Sequence, residues 1–408
     1  MALTSVAELQ TLIHEQITRY AQPLSTETLP VAQAVNRVLA QDIQSSLAIP
    51  VANMAAMDGY ALPTAALAGS TWQIVGESAA GRAYQGDFVE NSCIRIMTGA
   101  VLPEPYTTIV LKENVEVNGN QITLLQDCAA AEHIRYKGEE VAVGDKVLSA
   151  GRILRQADVM LLAALGCAEV QVYRKIKVAV LSTGDELHEL GTPLTQAEHI
   201  YDSNRHTLMA RLHSLPVEIM DLGWVHDDLE SVMHTLETAM HTADVLISSG
   251  GVSAGDYDYM RQAAIRLGAM QHYKIAIKPG KPFVFGRMLK TWYFGLPGNP
   301  VAGFVSFDCF LKAALWQLSG ASELPPVLQM QATLTEFVKK TRGRMEIQRA
   351  VMSRQTDGTW LVTPTGPQGS HRVWGVSRAN CYLLLNEDDS DLTAGSPVTI
   401  QPFSEAFL

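Results

Sequence analysis

Residues 244–258 read DVLISSGGVSAGDYD, and this stretch decides the fold. Its first six residues contain the apolar run VLI (245–247) and read as a strand, and two glycines follow directly. A helical stretch, DYMRQAAIRLG (258–268), comes next. A strand that passes through a glycine loop into a helix is the repeating unit of parallel α/β sheets.

The same alternation extends from about residue 176 to residue 320. Its other strand-like runs are KVAVLS (177–182), VEIMDLGWV (217–225), YKIAIK (273–278) and TWYFGLPG (291–298). The other helical stretches lie near SNRHTLMARLHSL (203–215), DDLESVMHTLETAM (227–240) and NPVAGFVSFDCFLKAALWQL (299–318). This pattern predicts a central doubly wound, mainly parallel α/β domain with helices on both faces of the sheet.

Each predicted strand ends in a loop with polar or glycine-rich chemistry. These loops are STGDEL (182–187), HDD (226–228), SSGGVSAGDYD (248–258), KPGKP (278–282) and LPGNP (296–300). Ligands of open parallel sheets bind beyond the carboxyl ends of the strands. We therefore expect the five loops to form one site, whatever their separation in the sequence.

The residue types in these loops favour an anion. The SSGG segment offers backbone N–H groups in front of a helix N-terminus, which suits phosphate. Lys278 and Lys281 bracket a Pro-Gly turn, and two ammonium groups on a stiff turn suit a tetrahedral oxyanion. Carboxylates beside a phosphate site imply Mg²⁺. The carboxylates at this edge are Asp185, Glu186, Asp227, Asp256 and Asp258.

Each element alone also has a structural explanation. A glycine loop can be only a tight turn, Asp227 can cap a helix, and Pro300 can open one. Their coincidence at five strand ends favours an enzyme or binding site for a phosphorylated or nucleotide-like ligand. A P-loop GxxxxGK[ST] and a dinucleotide-binding GxGxxG after the first strand are absent from the sequence, so those classes are unsupported.

The remaining sequence predicts a multi-domain α/β plus β chain. Residues 1–25 form a helix that packs on the α/β domain (176–325), with Ser5 and Glu8 at capping-box spacing. Residues 26–44 and 145–175 form a connecting subdomain with a helix that stops at Gly166. Residues 45–144 form a β-rich insert domain, with short strands between turns. Residues 326–408 form a small C-terminal β-barrel or sandwich with a turn at Asp357-Gly358.

Composition narrows the class of protein. The chain has 408 residues, a net charge of −11, and five cysteines that form neither a CxxC motif nor a cluster. This composition argues against a nucleic-acid binder, a disulfide framework and a structural zinc site. We expect no membrane association, because no run approaches about 18 apolar residues. The N-terminus has no apolar signal core, and we expect a cytoplasmic protein.

The motifs taken together resemble the MoeA family, the molybdopterin molybdenumtransferases that include gephyrin E-like domains. STGDEL, YDSN (201–204), SSGGVSAGDYD, IKPGKP and LPGNP occur in the family's order. MDGYA (57–61), RIMTGA (95–100), KGEE (137–140) and QGSH (368–371) match outside the α/β domain. The resemblance implies a transferase of molybdenum cofactor biosynthesis. It would insert molybdate into adenylylated molybdopterin and release AMP with Mg²⁺.

The resemblance also implies roles for individual residues. Molybdate would lie near Lys278, Lys281, Pro282, Arg349 and Ser370. The molybdopterin nucleotide would lie along Thr183, Gly184, Asp185, Gly250, Gly251, Ser253, Pro297 and Pro300, with Asp227 beside it as a catalytic residue. Asp258 and Glu186 would serve Mg²⁺ and hydrolysis. The family is dimeric, and the β-rich domain would bring the catalytic residues Asp58, Thr98 and Glu140 from the partner subunit.

Two departures and two alternatives accompany this resemblance. The family's DNSAMDGYA is changed here at residues 53–55, which read Asn-Met-Ala, and its GED is Gly-Glu-Glu at 138–140. One alternative is a non-catalytic or weakened scaffold homologue. The other is a related nucleotide-processing enzyme, an adenylyltransferase or a CinA-type enzyme with the same α/β domain. Other molybdenum-cofactor biosynthesis proteins are further candidate partners.

Overall fold

The structure, a computed structural model, describes residues 3–252 and 259–404. The first helix, α1, spans Val6–Tyr20. Ser5 Oγ accepts a hydrogen bond from Glu8 N at 3.2 Å, and Glu8 Oε2 accepts from Ser5 N at 2.8 Å. This reciprocal pair confirms the predicted capping box. Leu9, Ile13 and Ile17 are buried on one helix face, within the core of the α/β domain.

The β-rich region follows two short strands, β1 (Thr26–Pro30) and β2 (Ile43–Gln44). Its strands are β3 (Met54–Ala55), β4 (Gly59–Leu62), β5 (Thr71–Ser78), β6 (Ser92–Ile96), β7 (Thr108–Leu111), β8 (Val115–Asn118), β9 (Gln121–Leu124) and β10 (Ile134–Arg135). Six of them form a sheet in the order β7-β4-β6-β5-β9-β8, and β3 pairs with β10. Two apolar clusters fill this region.

The chain then returns to the first strands. β11 (Lys146–Leu148) pairs with β2, and β12 (Glu169–Tyr173) pairs antiparallel with β1. The helix between them, α2, spans Gln156–Ala164, and Gly166 follows with φ +74°. A glycine in this left-handed conformation is the common way to end a helix. Side chains from both sequence segments share one small core.

The α/β domain contains nine strands and five helices among the described residues. The strands are β13 (Ile176–Thr183), β14 (Leu187–His188), β15 (Ile200–Tyr201), β16 (Val217–Val225), β17 (Val245–Ser249), β18 (Ala269–Lys274), β19 (Ile277–Lys278), β20 (Pro282–Met288) and β21 (Thr291–Leu296). The helices are α3 (Ser203–Leu212), α4 (Leu229–Thr242), α5 (Tyr259–Leu267), α6 (Pro300–Ser306) and α7 (Lys312–Leu318). A π-helical turn (Phe307–Leu311) joins the last two helices.

The central sheet is doubly wound, as predicted. Its order is β16-β13-β17-β21-β20-β18, and the first four strands pair parallel. β20 pairs antiparallel with β21, and β18 pairs antiparallel with β20. Residues of α4 and α5 pack on one face. Residues of α1, α3, α6 and α7 pack on the other face. The carboxyl ends of the parallel strands therefore share one edge, which positions the site.

The prediction of a single parallel strand at YKIAIK (273–278) is wrong. This run divides between β18, an antiparallel edge strand, and β19, which leaves the sheet and pairs parallel with the C-terminal domain. The sequence pattern did not indicate β20, which forms a hairpin with β21. The hairpin turn has Leu289 at φ +52°. Glycine or asparagine normally marks such a turn, so the sequence carried no signal.

The helical stretch Pro300–Leu318 is long and apolar enough to span a membrane by composition, contrary to the sequence-based expectation. Its mean hydropathy is 1.3, and 67% of it is buried inside the protein. The stretch supplies Val305, Phe307, Phe310 and Leu315 to the α/β core. Burial against the sheet accounts for its apolar composition.

The C-terminal domain is a closed five-stranded barrel. Its strands are β22 (Met330–Leu334), β23 (Met345–Arg354), β24 (Trp360–Pro364), β25 (Cys381–Leu385) and β26 (Pro397–Pro402), and it has one short helix, α8 (Val373–Ser377). The order β23-β24-β22-β26-β25 closes because β25 also pairs with β23. The predicted turn is confirmed, with Gly358 at φ +90° and Asp357 Oδ1 accepting from Thr359 N at 2.9 Å.

Candidate active site

A cleft of about 1120 Å³ lies at the carboxyl edge of the parallel strands. The loops after β13, β16, β17, β19 and β21 all contribute to its lining, as does the QGSH loop of the C-terminal barrel. The sequence therefore predicted correctly that these loops meet. KPGKP reaches the cleft by another route, because it joins β19 to β20 and does not end a strand of the central sheet.

Most of the predicted site residues line this cleft. They are Thr183, Gly184, Glu186, Asp227, Gly250, Gly251, Lys278, Lys281, Pro282, Pro297, Pro300 and Ser370. Other predicted residues are described but are not part of its lining: Asp58, Thr98, Glu140, Asp185 and Arg349. Ser253, Asp256 and Asp258 lie outside the described residues.

Glycines shape one end of the cleft. Gly250 and Gly251 have φ +91° and +63°, a backbone conformation that other residues rarely adopt. A Cβ on Gly250 would lie 2.8 Å from the carbonyl oxygen of Thr183. The Thr183 Oγ1 atom is buried and has no hydrogen-bond partner among the described residues. A ligand oxygen at this position would satisfy that hydroxyl, because buried polar groups are normally paired.

Asp185 links two loops beside the glycine cradle, the part of the cleft formed by Gly250 and Gly251. Its Oδ1 lies 3.0 Å from His226 Nδ1 and accepts a hydrogen bond from Asp227 N at 3.2 Å. The hydrogen bond with His226, followed by that with the Asp227 backbone, lowers the pKa of the Asp185 carboxyl. The carboxylate therefore ties the loop after β13 to the loop after β16.

Two lysines at the KPGKP turn have different surroundings. Lys278 Nζ donates a hydrogen bond to Glu346 Oε1 at 3.1 Å, and the Glu346 side chain is only 5% exposed. Lys281 is exposed and forms no ion pair with the residues that the structure describes. Lys281 is thus the less neutralised of the two ammonium groups. Ser370 lies near the start of α6, where its carbonyl accepts from Val301 N at 3.2 Å.

Arg349 lies behind the cleft wall. It is fully buried, and its guanidinium donates to the carbonyls of Gln368 at 3.2 Å and Gly369 at 3.1 Å. Burial lowers the pKa of this guanidinium below its ordinary value. Its Nε atom has no hydrogen-bond partner among the described residues. In this conformation Arg349 supports the QGSH loop without lining the cleft.

Sequence reasoning assigned no role to Asn204, although its YDSN motif was noted. Asn204 Nδ2 donates to Ser249 Oγ and to the Gly298 carbonyl, both at 2.7 Å. The side chain therefore joins the SSGG loop to the LPGNP loop from the first turn of α3. Asp202 caps the same helix by accepting from Arg205 N at 3.1 Å. The only sequence signal was the motif, because these partners are 45 and 94 residues away.

The predicted residues of the β-rich region form a separate group. Asp58 Oδ1 accepts from Thr98 N at 2.8 Å and from Thr98 Oγ1 at 2.7 Å. These hydrogen bonds, the backbone one first, lower the pKa of Asp58. Glu140 is exposed, and its backbone N–H donates to the Ile49 carbonyl at 3.1 Å. Within one chain, these side chains are not part of the cleft lining.

Fold and cleft together define an α/β protein with a glycine- and lysine-lined cleft, whose chain also carries a β-rich region and a C-terminal barrel. Residues 4–166 match the MoeA N-terminal region, residues 179–317 a probable molybdopterin binding domain, and residues 331–403 the MoeA C-terminal region. A molybdopterin molybdenumtransferase of Haemophilus influenzae is 39% identical over 94% of this chain and 95% of its own length. The chain belongs to the MoeA family of molybdopterin molybdenumtransferases.

Two further proteins support this membership. Molybdopterin molybdenumtransferase 2 of Mycobacterium tuberculosis is 34% identical over 98% of this chain and 99% of its own length. The crystal structure of a molybdopterin biosynthesis MoeA protein from Pyrococcus horikoshii OT3 matches with a TM-score of 0.83 and 27% identity. That match covers 98% of this chain and 100% of the other. The similarity therefore includes all the domains described above.

Proposed function

We propose that this protein is a cytoplasmic molybdenum insertase that acts as a homodimer. Its substrates would be adenylylated molybdopterin and molybdate, and AMP would leave in a Mg²⁺-dependent reaction. The observation that carries the proposal is a cleft that combines a glycine cradle at Gly250 and Gly251 with Lys281, which has no ion-pair partner in the part of the chain that the structure describes. Such a cleft suits a phosphate-bearing ligand at one end and an oxyanion at the other.

The cradle would hold the nucleotide part of the substrate. Thr183 Oγ1 is available to a phosphate oxygen, and the two glycines let that oxygen approach the backbone closely. Pro297 and Pro300 form the neighbouring wall. Positioning the phosphoanhydride here would orient it for cleavage, which is a large part of phosphoryl-transfer catalysis.

The lysine end would hold molybdate. Lys281 and Lys278 supply ammonium donors, Ser370 a hydroxyl, and Pro282 part of the wall. Arg349 adds a buried positive charge behind the QGSH loop. Charge-assisted hydrogen bonds to an oxyanion are stronger than neutral ones, so these groups favour a dianion over a neutral ligand.

The residues present fit a Mg²⁺ site. The described residues contain no group of three or more His, Cys, Asp or Glu side chains that could hold a metal. Mg²⁺ nevertheless needs only one or two carboxylates when phosphate oxygens and water complete its shell. Glu186 and Asp227 line the cleft near the cradle, and Asp258 follows in sequence. When bound, the ion would neutralise charge that develops on the phosphoanhydride.

Asp58, Thr98 and Glu140 would complete the site from the partner subunit. They form a polar group that does not line the cleft of their own chain. Asp58 is an ionised carboxylate at neutral pH, and the hydrogen bonds from Thr98 lower its pKa further, which suits a group that orients substrate or metal. This contribution makes the dimer necessary for activity.

A turnover assay tests the proposal directly. The purified chain is incubated with adenylylated molybdopterin, molybdate and Mg²⁺, and both AMP and molybdenum cofactor are measured. We expect AMP to appear only when Mg²⁺ is present, and cofactor only when molybdate is added as well. Binding of both substrates without turnover would favour the non-catalytic scaffold. AMP release without molybdenum insertion would favour a nucleotide-processing enzyme of another kind.

A further inference from the structure

A second cleft lies on the central sheet and shares no lining residue with the candidate active site. Its volume is about 720 Å³. Helix α1 forms one wall, and strands β18, β20 and β21 contribute most of the others. We call it the β18 groove, and the lining residues on which its chemistry depends are Gln16, Tyr20, Phe285, Arg287 and Trp292.

Aromatic rings give the β18 groove flat surfaces. Phe285 and Trp292 are buried and stack with ring centroids 5.7 Å apart and ring planes at 8°. Tyr20 on α1 is 37% exposed, and Tyr273 on β18 also lines the groove. Because aromatic rings pack well in stacked or edge-to-face contacts, these surfaces suit a planar ring system.

Arg287 is the only charged side chain in the lining of the β18 groove. Its Cζ atom lies 5.3 Å from the ring centroid of Trp292 and 5.5 Å from that of Tyr20. Nη2 donates to the Leu289 carbonyl at 3.0 Å, while Nε has no hydrogen-bond partner among the described residues. Arg287 forms no ion pair with the residues that the structure describes. Two rings thus hold a guanidinium whose charge no carboxylate compensates.

The sequence around the groove is basic, although the chain as a whole is acidic. Residues 259–307 contain seven lysines and arginines and no aspartate or glutamate, whereas the whole chain has a net charge of −11. This stretch supplies the parts of the groove that lie on β18, β20 and β21. A cluster of like charges attracts ligands of the opposite charge, so the β18 groove favours an anion.

We infer that the β18 groove is a second ligand site, for a planar aromatic or heteroaromatic ring that carries an anionic group. The rings contact the faces and edges of the ligand, and Arg287 pairs with its carboxylate, sulfonate or phosphate. A volume of about 720 Å³ is within the range of small-molecule sites. The inference goes beyond the proposed function and does not depend on it, because the two clefts are lined by different residues.

Two fluorescent probes that differ only in charge test this inference on the full chain. Anilinonaphthalene sulfonate is an aromatic anion, and phenylnaphthylamine is the same ring system without the sulfonate. We expect about one sulfonate probe to bind per chain, about tenfold or more tightly than the uncharged probe. AMP and molybdate should not displace it. Equal affinities of the two probes, or displacement by AMP or molybdate, would overturn the inference.

Variants then assign the charge to the groove. Arg287→Met removes the guanidinium and keeps an apolar stem, so affinity for the sulfonate probe should fall about tenfold, whereas affinity for the uncharged probe should change less than about twofold. Lys290→Met is the matched control, because Lys290 is an exposed cation on the same hairpin that does not line the groove. It should bind the sulfonate probe as the parent does.

Gln16→Glu gives a second test that leaves Arg287 in place. Gln16 is exposed on α1 and lines the groove, so a carboxylate there should weaken binding of the sulfonate probe but not of the uncharged one. Circular dichroism verifies that the variants are folded. Parent-like binding of the sulfonate probe to folded Arg287→Met or to Gln16→Glu would contradict the assignment. An equal loss in Lys290→Met would show that diffuse charge, not the groove, holds the probe.

Discussion

At the scale of single residues, Lys281 carries the anion-binding prediction. It is exposed at the cleft and has no ion-pair partner among the described residues. A charge-assisted hydrogen bond contributes about 1.5–3 kcal/mol, so Lys281→Ala should weaken molybdate affinity by about ten- to a hundredfold. Lys281→Arg keeps the charge with another shape and should restore affinity only in part. Equilibrium binding of molybdate measures both changes.

The control for Lys281 is a lysine of the same charge that lies away from the cleft. Lys290 is exposed and follows the far end of β20. Lys290→Ala should leave molybdate affinity unchanged. Excess molybdate should partly restore turnover of Lys281→Ala, because the defect lies in oxyanion binding. If Lys281→Ala needs no more molybdate than the parent, Lys281 is not part of the oxyanion site.

Gly250 gives a second prediction at this scale, on stability. Gly250 and Gly395 have similar φ values, +91° and +87°, so an alanine strains the backbone at either site. That strain costs about 1–3 kcal/mol. Only at Gly250 would the new Cβ also meet a carbonyl oxygen, that of Thr183 at 2.8 Å, while Gly395 has open space. Urea unfolding should therefore show a larger loss for Gly250→Ala, and equal losses would contradict this packing argument.

The sequence predicted which residues line the cleft, but not which of their side chains form hydrogen bonds and ion pairs. Lining residues such as Thr183 and Gly250 follow from their positions at strand ends, because parallel strands place those ends together. The Lys278–Glu346 pair depends on the register between β19 and β23, whose residues are 68 apart. The burial of Arg349 behind the cleft wall depends on how the barrel packs against the α/β domain. Local periodicity carries no information on either.

At the scale of elements, α3 joins two loops of the cleft through Asn204. Each of its two hydrogen bonds contributes about 0.5–1.5 kcal/mol, so Asn204→Ala should weaken binding of adenylylated molybdopterin by about tenfold. The molybdate affinity should change less, because the lysine turn is held by other elements. Thr207→Ala is the control, since Thr207 lies on the same helix and does not line the cleft. Nucleotide affinity equal to that of the parent would contradict the bridging role.

The prediction of strands was wrong at the point where the chain passes from the central sheet to the barrel sheet. Four of the five strand-like runs gave the correct parallel core at β13, β16, β17 and β21. The run at 273–278 was continuous in hydropathy, yet Ile275 and Ala276 separate β18 from β19. The division follows from tertiary pairing: β18 bonds to β20, and β19 to the barrel. A period-two pattern identifies a strand but does not choose its partner.

At the scale of the whole molecule, domain order was predictable because each unit has its own hydrophobic pattern. The β-rich region and the barrel each contain apolar clusters of their own. The α/β domain contains two clusters, one of which also includes Ile347, Tyr382, Leu384 and Phe403 of the barrel. Residues 26–44 and 145–175 share another, which explains how segments distant in sequence form one subdomain. The sequence carries no comparable signal for a site built from two subunits, because hydrophobic periodicity does not show which surface a second chain covers.

Subunit mixing tests the shared site that the dimer proposal requires. Asp58→Asn damages the β-rich half of a site and Lys281→Ala the α/β half. When molybdate is limiting, each variant alone should be nearly inactive. After random exchange, about half of the dimers carry one of each chain, and one of their two sites is intact. Turnover should therefore recover to about a quarter of the parent value. Asp58→Asn mixed with Thr98→Val should recover nothing, because both changes damage the same half. If the first mixture stays inactive although light scattering and tagged pull-down show exchanged dimers, Asp58 and Lys281 act within one chain.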